Sequence, residues 1–143
     1  MKTKWFIIAV LIVSLGIAPS LGASEKGHNS KMSNTLGGIW QDIGEKQEEL
    51  GQLIKNKKLD KVHEAAFVIR DLAKLLPDKS PDLSPDNQKK LKSWVDGIAD
   101  SAERLDKFGD GGDQANTEKE AKRLDTLLKS IEKLYPSNAL KRK

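Results

Sequence analysis

Apolar residues recur along this chain at intervals of three and four, the spacing that lines one face of an α-helix. The first such stripe is Leu36, Ile39, Trp40, Ile43, Leu50, Leu53 and Ile54, with Gln47 at a gap, and it predicts a helix from Asn34 to Lys55. Val62, Ala65, Ala66, Ile69, Leu72, Ala73 and Leu76 predict a second, from Asp60 to Leu76. A heptad-like seam of Leu91, Trp94, Val95, Ile98, Ala99, Ala102, Leu105 and Phe108 predicts a third, from Pro85 to Gly109. Ala121, Leu124, Leu127, Leu128, Ile131, Leu134 and Tyr135 predict a fourth, from Asn116 to Tyr135. No segment alternates apolar and polar residues with β-branched enrichment, so no strand is predicted.

The residues between the stripes punctuate them. Ser33 or Asn34 can cap the first helix, because a short side-chain oxygen satisfies the free N–H groups of a first turn. Asp60 can do the same for the second, which Pro77 stops. Ser84 followed by Pro85 marks the start of the third, proline costing nothing at the first helical position, and Gly109 marks its end. Thr117 and Glu120 have capping-box spacing for the fourth, and Pro136 closes it. Gly37, Gly38, Gly44 and Gly51 each weaken the first helix by up to about 1 kcal/mol relative to alanine.

Four amphipathic helices of similar length with short connections predict an all-α, antiparallel up-down-up-down four-helix bundle over residues 33–136, followed by a basic tail, 137–143. In that topology Trp40 and Trp94, each near the start of its helix, face inward at one end of the bundle.

Ahead of the bundle, Lys2 and Lys4 precede the uncharged apolar run Trp5 to Ile17, then Pro19 and the small residues Ser20, Gly22 and Ala23. That is the anatomy of a secretory signal peptide, residues 1–23, cleaved after Gly22 or Ala23. The expected compartment is therefore the periplasm or the exterior, with membrane contact only through the leader before cleavage. Residues 24–32 are polar and predict a disordered arm. The formal charge is +4, of which the leader's Lys2 and Lys4 supply two. Charges of both signs are interspersed along the helices, which argues against a nucleic-acid partner. There is no cysteine, so disulfides, thiolate metal sites and covalent haem attachment are excluded.

Candidate chemistry is sparse. The histidines are His28, in the arm, and His63, in the first turn of the second helix, with Phe67 and Arg70 on the same flank. An imidazole binds copper, zinc or haem iron, which makes His63 the metal-ligand candidate, with His28 as a conceivable second ligand. Neither histidine belongs to a local multidentate motif. Asp106, Asp110 and Asp113 do not form an EF-hand: a loop begun at Asp106 puts Phe108 at position three, and one begun at Asp110 puts Ala121 at position twelve. No nucleophile elbow, phosphate loop or catalytic cysteine is present, so the expectation is a protein that is not an enzyme.

Three stretches resemble the cytochrome b-562 family of exported, haem-binding four-helix bundles. Met32 followed by Thr35-Leu36 looks like the start of that family's first helix, with the spacing off by one. The loop Asp78-Lys79-Ser80-Pro81-Asp82 with Ser84-Pro85 is similar to its central loop, and the approach to Tyr135 looks like its last helix. The resemblance implies haem b held between a methionine near the start of the first helix and a histidine near the end of the last. Met32 matches the methionine. The histidine has no counterpart, since none follows His63 and the last helix offers Glu132 and Tyr135. The sequence therefore leads to a haem-free, exported bundle that binds a protein partner or small ligand. The alternatives are a haem-binding electron-transfer protein using Met32, and a copper or zinc binder using His63.

Overall fold

A computed structural model of the protein describes residues 33–140. The leader, the arm with His28 and Met32, and the end of the tail lie outside the described residues. The described chain is all-helical: α1 Leu36–Lys55, a single 3-10 turn Leu59–Lys61, α2 Val62–Leu75, α3 Pro85–Asp110 and α4 Gln114–Glu132. Among the described residues no helix is long and apolar enough to cross a membrane.

The four helices form a bundle around one continuous apolar core. Ile39, Ile43, Ile69, Leu72, Leu91, Ile98, Leu105, Leu124 and Ile131 are among its fully buried side chains. Removing such a side chain from water contributes about 1.5–3 kcal/mol, and with no disulfide this packing holds the fold. Trp40 and Trp94 pack against the core but remain partly exposed, at its rim instead of plugging its interior.

Helix boundaries differ from the sequence expectation where several polar residues compete for one cap. Thr35, not Ser33 or Asn34, caps α1, its hydroxyl accepting from the Gly38 N–H at 3.2 Å. Instead the Ser33 N–H donates to Asp42 Oδ2 further along α1 at 3.0 Å, and Lys79 Nζ, beyond α2, donates to Asn34 Oδ1 at 2.6 Å. Asp60 falls inside the 3-10 turn, and α2 starts without a side-chain cap. The capping box expected from Thr117 and Glu120 does not form. Asp113 caps α4, accepting from the Asn116 N–H at 3.0 Å, and α4 begins at Gln114. Four N–H and hydroxyl contacts around Asp113, including Thr117 Oγ1 to its carbonyl at 2.7 Å, draw that turn tight. Ser84 and Pro85 behave as expected at the head of α3.

Gly109 does not end α3. It sits in the last turn, buried against α2, and a Cβ built on it would overlap the Leu59 carbonyl oxygen and lie 2.7 Å from Val62 Cγ2. Only a residue without a side chain lets the end of α3 come this close to the start of α2. Gly112 then turns the chain with φ +65.

The helices do not contact one another equally. α1 packs along α2, α2 along α3 and α3 along α4, whereas α1 and α4 meet far more sparingly. That one loose seam leaves a cleft in the molecule's surface.

Candidate functional site

The loose α1–α4 seam holds a solvent-facing cleft of about 660 Å³, lined by one face of α1 between Gln47 and Lys55 and one face of α4 between Glu118 and Asp125. Its floor is apolar: Leu50, Ile54 and Leu124 are core residues, and Ala121 lies beside them. Its rim is charged and of mixed sign, with Glu48 and Lys55 on α1 and Glu118, Lys122 and Asp125 on α4. Two polar links bracket it. Gln47 Nε2 donates to Asp125 Oδ1 at 3.4 Å, and Gln114 Nε2 donates to the Ile54 carbonyl at 3.2 Å. Between these links the two backbones stand apart.

Two features of α1 produce the gap. Gln47 interrupts the apolar stripe, so one turn of α1 presents an amide where a leucine or isoleucine would close the seam. Gly51 carries no side chain, and a Cβ added there would touch nothing within 4 Å. Gly44, one heptad earlier, is equally open but lies outside the cleft lining. Neither glycine therefore serves close helix approach, and Gly51 serves as empty wall. A cleft of this volume falls within the range of small-molecule sites, about 300–1,000 Å³, and shares their apolar floor, here under a charged rim.

His63 lies elsewhere, on the α2–α3 side. Its Nδ1 is 3.8 Å from Asp106 Oδ1 on α3, and Asp110 stands one turn further along the same face of that helix. The flank read from the sequence is built as expected: the Phe67 ring tilts against His63 at 6.2 Å between centroids, and the Arg70 guanidinium covers Phe67 at 4.5 Å. Asp71 bonds Arg70 at 2.8 Å, which raises the guanidinium's pKa and lowers that of the carboxyl. Sequence reasoning named His63 but missed both aspartates as its neighbours, because they are brought to it by the packing of α3 on α2. Asp113, grouped with them by spacing, instead caps α4, and the two N–H groups of Asn116 hold its carboxyl below the usual range.

Tyr135 shares a 2.7 Å hydrogen bond with Ser80, whose hydroxyl also donates to the Leu76 carbonyl at 2.7 Å. The chain just past α4 is thus tied to the α2–α3 loop by a hydroxyl pair, and Met32, the methionine expected to hold haem, lies outside the described residues. No family model, no curated protein and no solved structure matches the chain.

Proposed function

We propose that the protein is an exported, non-enzymatic binding protein whose α1–α4 cleft takes a small amphipathic molecule, with an apolar body on the Leu50–Ile54–Leu124 floor and an uncharged or zwitterionic polar end at the rim. The carrying observation is the unfilled, apolar-floored seam between α1 and α4, each of which packs extensively on its other neighbour, α2 or α3. A void lined by leucine and isoleucine forfeits dispersion contacts and exposes apolar surface, so an apolar occupant gains both. A rim of both signs favours a headgroup without net charge.

The bundle in this reading has the antiparallel up-down-up-down connectivity. Supporting it, the start of α1 and the ends of α2 and α4 are tied by Asn34–Lys79 and Ser80–Tyr135. The end of α1 meets the start of α4 through Ile54 and Gln114, and the start of α2 meets the end of α3 through Leu59 and Gly109. Export rests on the leader at residues 1–23. Haem b, held through Met32, is the rival ligand, and His63 is not among the residues lining the cleft.

The test is a fluorescence titration of the mature protein with dodecylphosphocholine below its micellar concentration, using 1-anilinonaphthalene-8-sulfonate as the reporter. Gly51→Leu, which fills the cleft wall, should weaken binding by about tenfold or more, while Gly44→Leu on the same helix should leave it unchanged. Equal affinity in the two variants, or no displacement at all, would sink the reading. A Soret band appearing on haem addition, and lost in Met32→Ala, would transfer it to the rival ligand.

A further inference from the structure

We infer that His63, Asp106 and Asp110 form a binding site for a divalent first-row transition ion, distinct from the α1–α4 cleft and independent of what that cleft binds. The inference begins with backbone placement. Gly109 seats the last turn of α3 directly on Leu59 and Val62, so the two helices are locked in register one residue from His63 on one side and one residue from Asp110 on the other. Asp106 and Asp110 are four residues apart on α3 and share a face. The result is that an imidazole nitrogen and two carboxylate oxygens lie within 4.8 Å of one another, contributed by two different helices.

That separation suits a shared ion better than it suits direct bonding. His63 Nδ1 and Asp106 Oδ1 are 3.8 Å apart, too far for a hydrogen bond. Two ligands at about 2.0–2.2 Å from a tetrahedral zinc stand about 3.4 Å from each other, so a few tenths of an ångström of side-chain rotation closes the His63–Asp106 pair, and Asp110, whose ligand atom lies within 4.8 Å of both, is brought in by a rotamer shift. Both side chains are only partly exposed, at 36% and 39%, which leaves them that freedom and leaves water access for a fourth ligand. The Phe67 ring, itself covered by Arg70, supports the imidazole from behind.

The electrostatics point the same way. Like most carboxylates among the described residues, Asp106 and Asp110 have no lysine or arginine ion-pair partner, so neither charge is already neutralised by one. Two carboxylates without a lysine or arginine partner, set beside an imidazole nitrogen, offer the charge and donor set that complement a divalent ion. An imidazole selects zinc, copper or nickel over calcium and magnesium, and three protein ligands fall short of the six to eight oxygens calcium takes.

The experiment is calorimetric titration of the mature protein with zinc chloride. One equivalent should bind, and His63→Ala, Asp106→Asn and Asp110→Asn should each weaken binding by about tenfold or more, with helicity by circular dichroism unchanged. His28→Ala should bind like the parent, and excess calcium or magnesium should not compete. Zinc binding that survives all three substitutions, binding lost equally in His28→Ala, competition by calcium, or no zinc binding would each overturn the assignment. Cobalt gives a second readout, because its visible absorption reports a bound imidazole–carboxylate set and should be lost in the His63 variant.

Discussion

The Ser101 hydroxyl donates to Glu120 Oε1 at 2.9 Å across the α3–α4 seam, and Arg123 Nη1 approaches the same oxygen at 3.1 Å from the next turn of α4. Glu120 keeps only 7% of its side chain exposed and Ser101 is fully buried, so this is a polar bolt set into the edge of the core. A buried carboxylate that loses a donor bears the desolvation cost of the unpaired group. Ser101→Ala should therefore destabilise the fold by about 1–3 kcal/mol. Replacing both partners, as in Ser101→Ala with Glu120→Leu, should recover part of that loss, because neither side is left unsatisfied. Urea midpoints of the two variants check this, and a double variant weaker than the single one would contradict it.

The same pair shows where sequence reading stops. Thr117 and Glu120 have the spacing of a capping box, which is a local pattern, yet Glu120 is spent on a long-range bond and Asp113 takes the cap. Local signals succeeded where nothing competed: Ser84-Pro85 starts α3 as its chemistry demands, and the apolar stripes gave the four helices and most of the core. The cleft left a partial trace, in the break at Gln47 and the bare Gly51, but its depth depends on what α4 presents opposite. Asp106 and Asp110 could not be joined to His63 from spacing at all, because only the seating of Gly109 on Leu59 brings them together.

The glycines divide into two kinds, and substitution should separate them. Gly109→Ala forces a methyl into the Leu59 carbonyl and Val62, and overpacking of this sort costs about 1–3 kcal/mol. Gly44→Ala meets open space in mid-helix and should stabilise the protein by about 0.5–1 kcal/mol through helix propensity. Thermal unfolding of the two variants should thus move in opposite directions. A Gly109→Ala protein as stable as the parent would mean that the α2–α3 contact is looser than described.

Two residues past the end of α1, Lys57 lies in the left-handed region, at φ 56, where its N–H bonds the Ile54 carbonyl at 3.1 Å and the Lys58 N–H bonds the Leu53 carbonyl at 2.9 Å. This is a Schellman-type closure, which glycine ordinarily fills because it has no Cβ to clash. A lysine there holds a conformation disfavoured by about 1 kcal/mol or more. Lys57→Gly should relieve that strain and raise the denaturation midpoint despite the added freedom of the unfolded chain. Lys57→Val, β-branched in the same conformation, should lower it, and chemical denaturation of the pair reads out the difference.

Tyr135 gives the fold an alkaline dependence whose sign can be worked out. Burial pushes its phenol above the ordinary value, and the hydrogen bond with Ser80 opposes that rise only in part. The folded state thus favours the neutral phenol more than the unfolded chain does. Its contribution is complete below the unfolded pKa of about 10 and is lost as pH rises through the higher folded value. Tyr135→Phe removes the ionisable group and should flatten this part of the stability profile, at the cost of the Ser80 bond, about 0.5–1.5 kcal/mol near neutrality. Ser80 keeps its bond to the Leu76 carbonyl, so no buried hydroxyl is orphaned by the change. Lysines also titrate in this range, so the informative quantity is the stability difference between parent and variant from pH 8 to pH 11, roughly the window around a phenol's ordinary pKa. That difference should shrink as pH rises; a constant difference would mean that the phenol is not held neutral by the fold.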